Sequence, residues 1–101
     1  MTTELSASSL PGDELVRQGL EDLAADRETD YSLLLLVAGP RLRRLGIEIP
    51  IRPTLEPFEH RLYARIEERL GVGAHSYYNS LIGRMVSYAR ALERERSRAS
   101  G

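Results

Sequence analysis

The chain has 101 residues, of which 42% are apolar and 29% charged, and its net charge at neutral pH is −1. This is the composition of one globular domain, and it excludes collagen-like and disordered chains. Because the sequence contains neither cysteine nor lysine, it also excludes disulfide scaffolds, thiol nucleophiles, cysteine-ligated metals and lysine Schiff bases.

The two parts of the chain carry opposite charge. Residues 1–30 contain eight acids and two arginines, a net charge of −6, whereas residues 31–101 contain twelve arginines and seven acids, a net charge of +5. Every basic residue other than histidine is an arginine, whose planar fork suits bidentate pairing with a carboxylate or a phosphate.

The ends of the chain are predicted to lie outside the folded unit. Residues 1–12 are rich in serine and threonine and end in Pro-Gly, which predicts a flexible N-terminal lead without a signal peptide. Residues 97–101 are predicted to be a frayed tail, which leaves residues 13–96 as a single domain. The longest apolar run, residues 33–39, is far shorter than the ~20 residues of a membrane span. We therefore expect a cytoplasmic protein without a membrane segment.

The first two helices are predicted from their caps and their apolar spacing. Asp13 begins helix 1, which ends near Asp26, and its acidic start suits the helix dipole. Helix 2 begins at Thr29 or Asp30, both favourable N-caps. Its run Leu33–Val37 covers every side of a turn and is predicted to be the most buried segment of the domain, although a buried strand is the alternative for so short a run.

Two prolines and a proline-interrupted helix mark the middle of the sequence. Pro40 is predicted to kink helix 2 or to split it into two. Residues 47–55 alternate isoleucine with polar residues but contain two prolines, which favours an extended connector over a central strand. We expect its isoleucines to cover the edge of the core.

Two further helices complete the predicted fold. Helix 3 is expected over residues 56–70, where Phe58, Leu62, Ile66 and Leu70 recur every fourth residue. Helix 4 is expected from about Ser76 to about Glu95. The sequence thus predicts an all-α protein, a compact bundle of four helices with helix 2 at its centre.

One arginine cluster is a candidate for anion or nucleic-acid binding. It comprises Arg41, Arg43, Arg44 and Arg52, with only Glu48 opposing them. Such a set could bind a phosphate backbone. The alternatives are cations that stabilise a helix C-terminus, or docking against the acidic helix 1 of the same chain.

A second candidate is an arginine–histidine pair. Arg69 and His75 are separated by five residues, and the spacing resembles the Arg-X4–6-His motif of HEPN-type nucleases, which are also small helical proteins. The resemblance implies metal-free RNA cleavage, with histidine moving a proton and arginine stabilising charge on the phosphate. Two glycines and a leucine between the two residues depart from that pattern. The alternative is an arginine at a helix end followed by a histidine in a turn.

Two other groups of residues are candidate ligand sites. Glu56 and His60 share a helical face, with Glu59 nearby, and a metal would need His75 or Glu67 as a third ligand. A surface pair is the preferred interpretation, so no metal and no cofactor are predicted. Residues 75–79, His-Ser-Tyr-Tyr-Asn, could bind an anion at the start of helix 4, with Ser76 as a plain N-cap being the alternative.

The sequence favours a non-catalytic interaction or regulatory module that could be homodimeric and that binds through arginine and tyrosine side chains of helices 3 and 4. Tyr77, Arg84, Tyr88 and Arg90 are predicted to form an outward stripe on helix 4, because tyrosine and arginine are enriched at protein interfaces. The alternative function is nucleic-acid binding through the arginine cluster, with or without cleavage at Arg69 and His75. A third class, a small-anion enzyme with converging arginines, lacks the usual lysine.

Overall fold

A computed structural model describes the backbone of residues 10–100 of the chain and the side chains of residues 10–98. The helices are α1 (Asp13–Ala24), α2 (Asp30–Arg44), α3 (Phe58–Leu70) and α4 (Ala74–Ser100), and a 3-10 turn, Gly71–Gly73, joins α3 to α4. No strand occurs among these residues. The all-α prediction is therefore confirmed.

The predicted arrangement as a compact bundle of four separate helices is wrong, because the last helix is much longer than the others and follows α3 almost without a break. Only the 3-10 turn separates α3 from α4, and α4 has 27 residues against 12, 15 and 13 in the others. At 1.5 Å per residue α4 is about 40 Å long, close to the 43 Å length of the molecule. The fold consists of short helices packed along one long final helix, which continues through residues 97–100, where we predicted a tail.

Pro40 does not split the second helix. α2 is continuous from Asp30 to Arg44 with Pro40 inside it. The proline is exposed, so the hydrogen bond that its ring removes is lost on the solvent side of the helix.

The start of α2 follows the predicted capping chemistry. Thr29 is the N-cap, its side chain accepts from the Ser32 backbone N–H at 3.1 Å, and the Ser32 hydroxyl accepts from the Thr29 N–H at 2.8 Å. This reciprocal capping box satisfies two donors that a helix start would otherwise leave without partners.

The core is centred on α2. Leu33, Leu34 and Leu35 are at most 1% exposed, and Leu36 and Val37 are half-buried against them. The prediction that this run is a helix is confirmed, and its predicted burial is confirmed for Leu33, Leu34 and Leu35 but only in part for Leu36 and Val37. Leu15 and Val16 of α1, Leu62 and Ile66 of α3, and Leu81 and Met85 of α4 pack around it.

The segment between α2 and α3 contains no strand, as predicted. Ile49 is buried and Ile47 packs on the core, but Ile51 is 80% exposed. The connector therefore covers the core only in its first half.

The beginning of the described chain lies against the middle of α4. Leu10 packs on the core, and Gly12, with a φ of 82°, is the N-cap of α1. A Cβ on Gly12 would lie 3.2 Å from the Arg84 carbonyl oxygen. The predicted lead of residues 1–12 otherwise falls on residues 1–9, outside the described part of the chain.

None of the helices described between residues 10 and 100 combines the length and the apolar character that crossing a membrane requires.

Candidate functional site

Ion pairs across the α2–α3 seam neutralise acids from the first thirty residues. Asp30, whose side chain is 12% exposed, accepts from Arg65 Nε at 3.1 Å and from Arg69 Nη2 at 2.7 Å. Glu28, which precedes α2, pairs with Arg61 of α3. The acidic part of the chain therefore docks on the arginines of α3.

The same pattern joins other distant parts of the fold. Asp26 pairs with Arg52 at 3.0 Å, Glu14 with Arg84 at 2.7 Å, and Glu93 with Arg41 at 3.1 Å. The Asp26 and Glu14 pairs, together with the seam pairs, satisfy much of the charge asymmetry of the sequence within one chain. Among the described residues, nine arginines form salt bridges with carboxylates of the same chain.

The predicted arginine cluster does not present four free guanidinium groups on one face. Arg41 pairs with Glu93 of α4, Arg43 Nη1 donates to the Ile49 carbonyl oxygen at 2.9 Å, and Arg52 is held by Asp26 and the Leu23 carbonyl. Arg44 is exposed and, within residues 10–100, forms no salt bridge. Three of the four side chains therefore hold the fold together.

The structure directs Arg69 and His75 towards different neighbours. The hydrogen bonds and the charge of Asp30 raise the pKa of Arg69, and its guanidinium carbon lies 5.8 Å from the centroid of the Tyr77 ring. His75 is exposed, with a ring nitrogen 3.2 Å from Asn79 Nδ2. Arg69 thus closes the seam with α2, while His75 faces a groove between α3 and α4.

The predicted outward stripe on α4 is wrong for Tyr88, which is 5% exposed and belongs to the core. Tyr88 lies seven residues after Leu81 and three after Met85, so it shares their buried face. Tyr77 is half-buried, and burial raises its pKa. Arg84 pairs with Glu14, and Arg90 is exposed. These four residues do not form one continuous outward surface.

The helix start at which the anion site was predicted lies two residues earlier in the structure. α4 begins at Ala74 directly after the 3-10 turn, and the Ala74 N–H donates to the Gly71 carbonyl. Ser76 is therefore inside the helix and is not its N-cap.

An open groove between α3 and the beginning of α4 was missed from the sequence. It has a volume of about 370 Å³ and contains both histidines of the chain. Tyr63 and Tyr78 meet edge to face, with ring centroids 5.4 Å apart, and burial raises the pKa of Tyr78. The lining residues are Glu59, His60, Tyr63, Ala64, Glu67, His75, Tyr78 and Asn79.

The groove brings together part of the metal set considered from the sequence. Glu59, His60, Glu67 and His75 line it, whereas Glu56 lies before α3 beside Arg61. Over the described residues, no three histidine, aspartate or glutamate side chains are placed so that they could hold a metal ion. The arrangement offers carboxylates, imidazoles and aromatic rings to a ligand from outside.

Two groups of charges without a salt bridge in the described part of the chain lie towards the two ends of α4. Among the described residues, the acids without one include Glu59 and Glu67, which line the groove. Arg90 and Arg94 lie together near the end of α4, beside Glu93 and Arg98, and neither forms a salt bridge within residues 10–100. One end of α4 therefore borders an acidic groove, and the other end carries exposed cations.

No protein-family model, no curated protein and no solved structure matches this chain.

Proposed function

We propose that this protein is a non-catalytic protein-interaction module whose contact surface is the α3–α4 groove and the adjoining outer face of α4. The observation that carries the proposal is the internal use of the arginines. Nine of them hold carboxylates of the same chain, so most of the cations serve the fold.

The proposed surface has the side chains that protein interfaces favour. Tyr63 and Tyr78 are half-buried in the groove, and each combines a large apolar ring with a polar hydroxyl. Ile82 and Val86, also half-buried, continue the surface along α4. Aromatic anchors surrounded by polar groups are typical of interaction hot spots.

The alternative, nucleic-acid binding, has less support. Three members of the Arg41–Arg52 cluster already contact partners within the chain, and a nucleic-acid domain is usually strongly basic, whereas this chain has a net charge of −1. Cleavage by Arg69 and His75 would require Arg69 to leave Asp30 and Tyr77.

Site-specific photo-crosslinking tests the proposal. A benzophenone amino acid replaces Asn79, an exposed residue of the groove, and in a control protein it replaces Glu21, an exposed residue of α1. Both proteins are irradiated in extract from the source cells. We expect discrete protein adducts from position 79 and none from position 21.

A nucleic-acid measurement accompanies the crosslinking. Fluorescence anisotropy with labelled RNA and DNA is expected to show only weak binding. Tight, steeply salt-dependent binding that is lost in the double variant Arg41→Ala, Arg52→Ala would support the alternative function. The absence of any protein adduct above the Glu21 control would overturn the proposed one.

A further inference from the structure

The outer face of α4 has the pattern of a helix-pairing surface. His75, Asn79, Ile82, Val86 and Arg90 are spaced by three or four residues. At ~100° per residue they lie within an arc of about 80°. Gly83, beside this arc, has open space where a Cβ would stand, so another helix can approach closely at the middle of α4.

Charges of opposite sign that form no salt bridge within residues 10–100 flank the two ends of this face, whereas Glu93, which lies within the arc, is paired with Arg41. The first turns of α4 border the groove that contains Glu59 and Glu67, and Arg90 and Arg94 lie towards the other end. Position 94 is nineteen residues beyond His75, about 28 Å along a rigid helix. The two groups cannot meet within one chain.

We propose that the partner of this surface is a second copy of the same chain, docked antiparallel along α4. The inference rests on the proposed function and names its partner. A twofold axis near residue 84 sets Ile82 of each copy against Val86 of the other. Arg94 of each copy then reaches the beginning of α4 in the other, where the acidic groove opens.

The symmetry accounts for both halves of the charge pattern. In an antiparallel pair each acidic groove receives arginines from the other copy, so the same contact forms twice. A parallel pair would set arginines against arginines and carboxylates against carboxylates, which is unfavourable. The rings of Tyr63 and Tyr78 in the groove also offer aromatic faces on which a guanidinium can stack.

Measurements of the oligomeric state, and of how charge substitutions change it, test the antiparallel dimer. Light scattering after size exclusion and sedimentation velocity on the full chain are expected to show a concentration-dependent dimer that weakens as salt rises. Arg94→Glu or Glu67→Arg is expected to weaken the dimer about tenfold or more by placing like charges together. Val86→Arg at the centre of the face is expected to give a monomer.

The charge-swap double variant locates the contact. Arg94→Glu with Glu67→Arg is expected to restore dimerisation, because the pair is re-formed with its signs exchanged. Arg44→Glu, at an exposed arginine of α2 outside this face, is the matched control and is expected to leave the dimer unchanged. Circular dichroism confirms that every variant keeps its helix content.

Each outcome separates this inference from the proposed function. A wild-type monomer at every concentration and salt overturns the dimer, and a hetero-partner adduct from position 79 would then leave the interaction module standing. A dimer that ignores Arg94→Glu and Val86→Arg overturns the antiparallel α4 contact. A dimer weakened by both single charge reversals but not restored by the swap overturns the pairing of Arg94 with Glu67.

Discussion

Asp22 organises the turn between α1 and α2, although it is almost fully buried. Its Oδ1 accepts from Gln18 Nε2 at 3.1 Å and from Arg27 Nη2 at 2.9 Å, and its Oδ2 accepts from Thr29 Oγ1 at 2.5 Å. Thr29 in turn caps α2 through its bond with Ser32. A buried carboxylate therefore fixes the residue that begins the central helix.

The substitution Asp22→Asn is expected to lower the free energy of unfolding by about 2–3 kcal/mol at neutral pH. It replaces one carboxylate oxygen with an N–H donor, so either the bond from the Thr29 hydroxyl or the bonds from Gln18 and Arg27 lose their acceptor, and a buried bond to a charged group contributes ~1.5–3 kcal/mol. The lost ion pair with Arg27 adds at most ~1 kcal/mol, because Arg27 is 55% exposed. For a domain of this size the melting temperature is expected to fall by roughly 10–20 °C.

The pH dependence of the stability difference follows from the direction in which the pKa of Asp22 is shifted. The hydrogen bond from Thr29 is the main cause that holds the pKa of Asp22 below its ordinary value of 3.8, and Arg27 and Gln18 lower it further. Stability from the charged form is present above that ordinary value and is lost as the pH falls through the lower folded pKa. The gap between wild type and Asp22→Asn is therefore expected to be constant from about pH 7 to about pH 5 and to narrow below about pH 3.8.

Urea unfolding followed by circular dichroism, at several pH values, measures this gap. Glu21→Gln is the matched control, because it neutralises the neighbouring exposed acid and is expected to change the stability by less than ~0.5 kcal/mol. Equal stability of wild type and Asp22→Asn at neutral pH would refute the reasoning, as would a gap that stays constant down to the acid transition.

Three further predictions concern packing and the seam, and each is measured by urea or thermal unfolding. Gly19→Ala is expected to lower the free energy of unfolding by about 1–3 kcal/mol despite a helix-propensity gain of ~1 kcal/mol, because the new Cβ would lie 2.9 Å from the Tyr31 carbonyl oxygen. A more stable variant would contradict the close crossing of α1 and α2. Leu34→Ala, at a fully buried position, is expected to cost about 3–5 kcal/mol, and Leu36→Ala, half-buried, less than about 2 kcal/mol; equal losses would contradict the observed rotation of α2. Asp30→Asn is expected to cost less than about 1.5 kcal/mol and less at high salt, since both arginine partners are about half exposed; a larger loss that salt does not change would mean that the seam acts as a buried pair.

Features set by neighbouring residues could be predicted from the sequence. The Thr29 cap, the helix over Leu33–Val37 and its burial depend on local hydrogen bonding and on apolar density, both of which are legible in a few residues. The burial of Tyr88 was legible too, since it lies seven residues after Leu81, but its residue type favoured an interface. The continuity of α2 through Pro40 depends on which side of the helix faces solvent.

Features set by how helices are rotated against one another could not be predicted. Asp30 contacts Arg65 and Arg69 because α2 and α3 pack with these faces together. With fourteen arginines in the chain, the partners of Asp30 could not be identified from the sequence. His60 and His75 line the same α3–α4 groove only because the 3-10 turn folds one helix back on the other. No periodicity within either helix contains that information.

The balance of charge connects the fold to the proposed assembly. Acids near the start of the chain meet arginines from its later part at short range, so most of the opposite charge of the two parts is neutralised by folding. The exposed cations Arg90 and Arg94 are about 22 Å and about 28 Å along α4 from His75 in the acidic groove, well beyond the screening length of ~8 Å at physiological salt. One copy cannot neutralise them with its own groove, whereas an antiparallel second copy brings each set against its opposite.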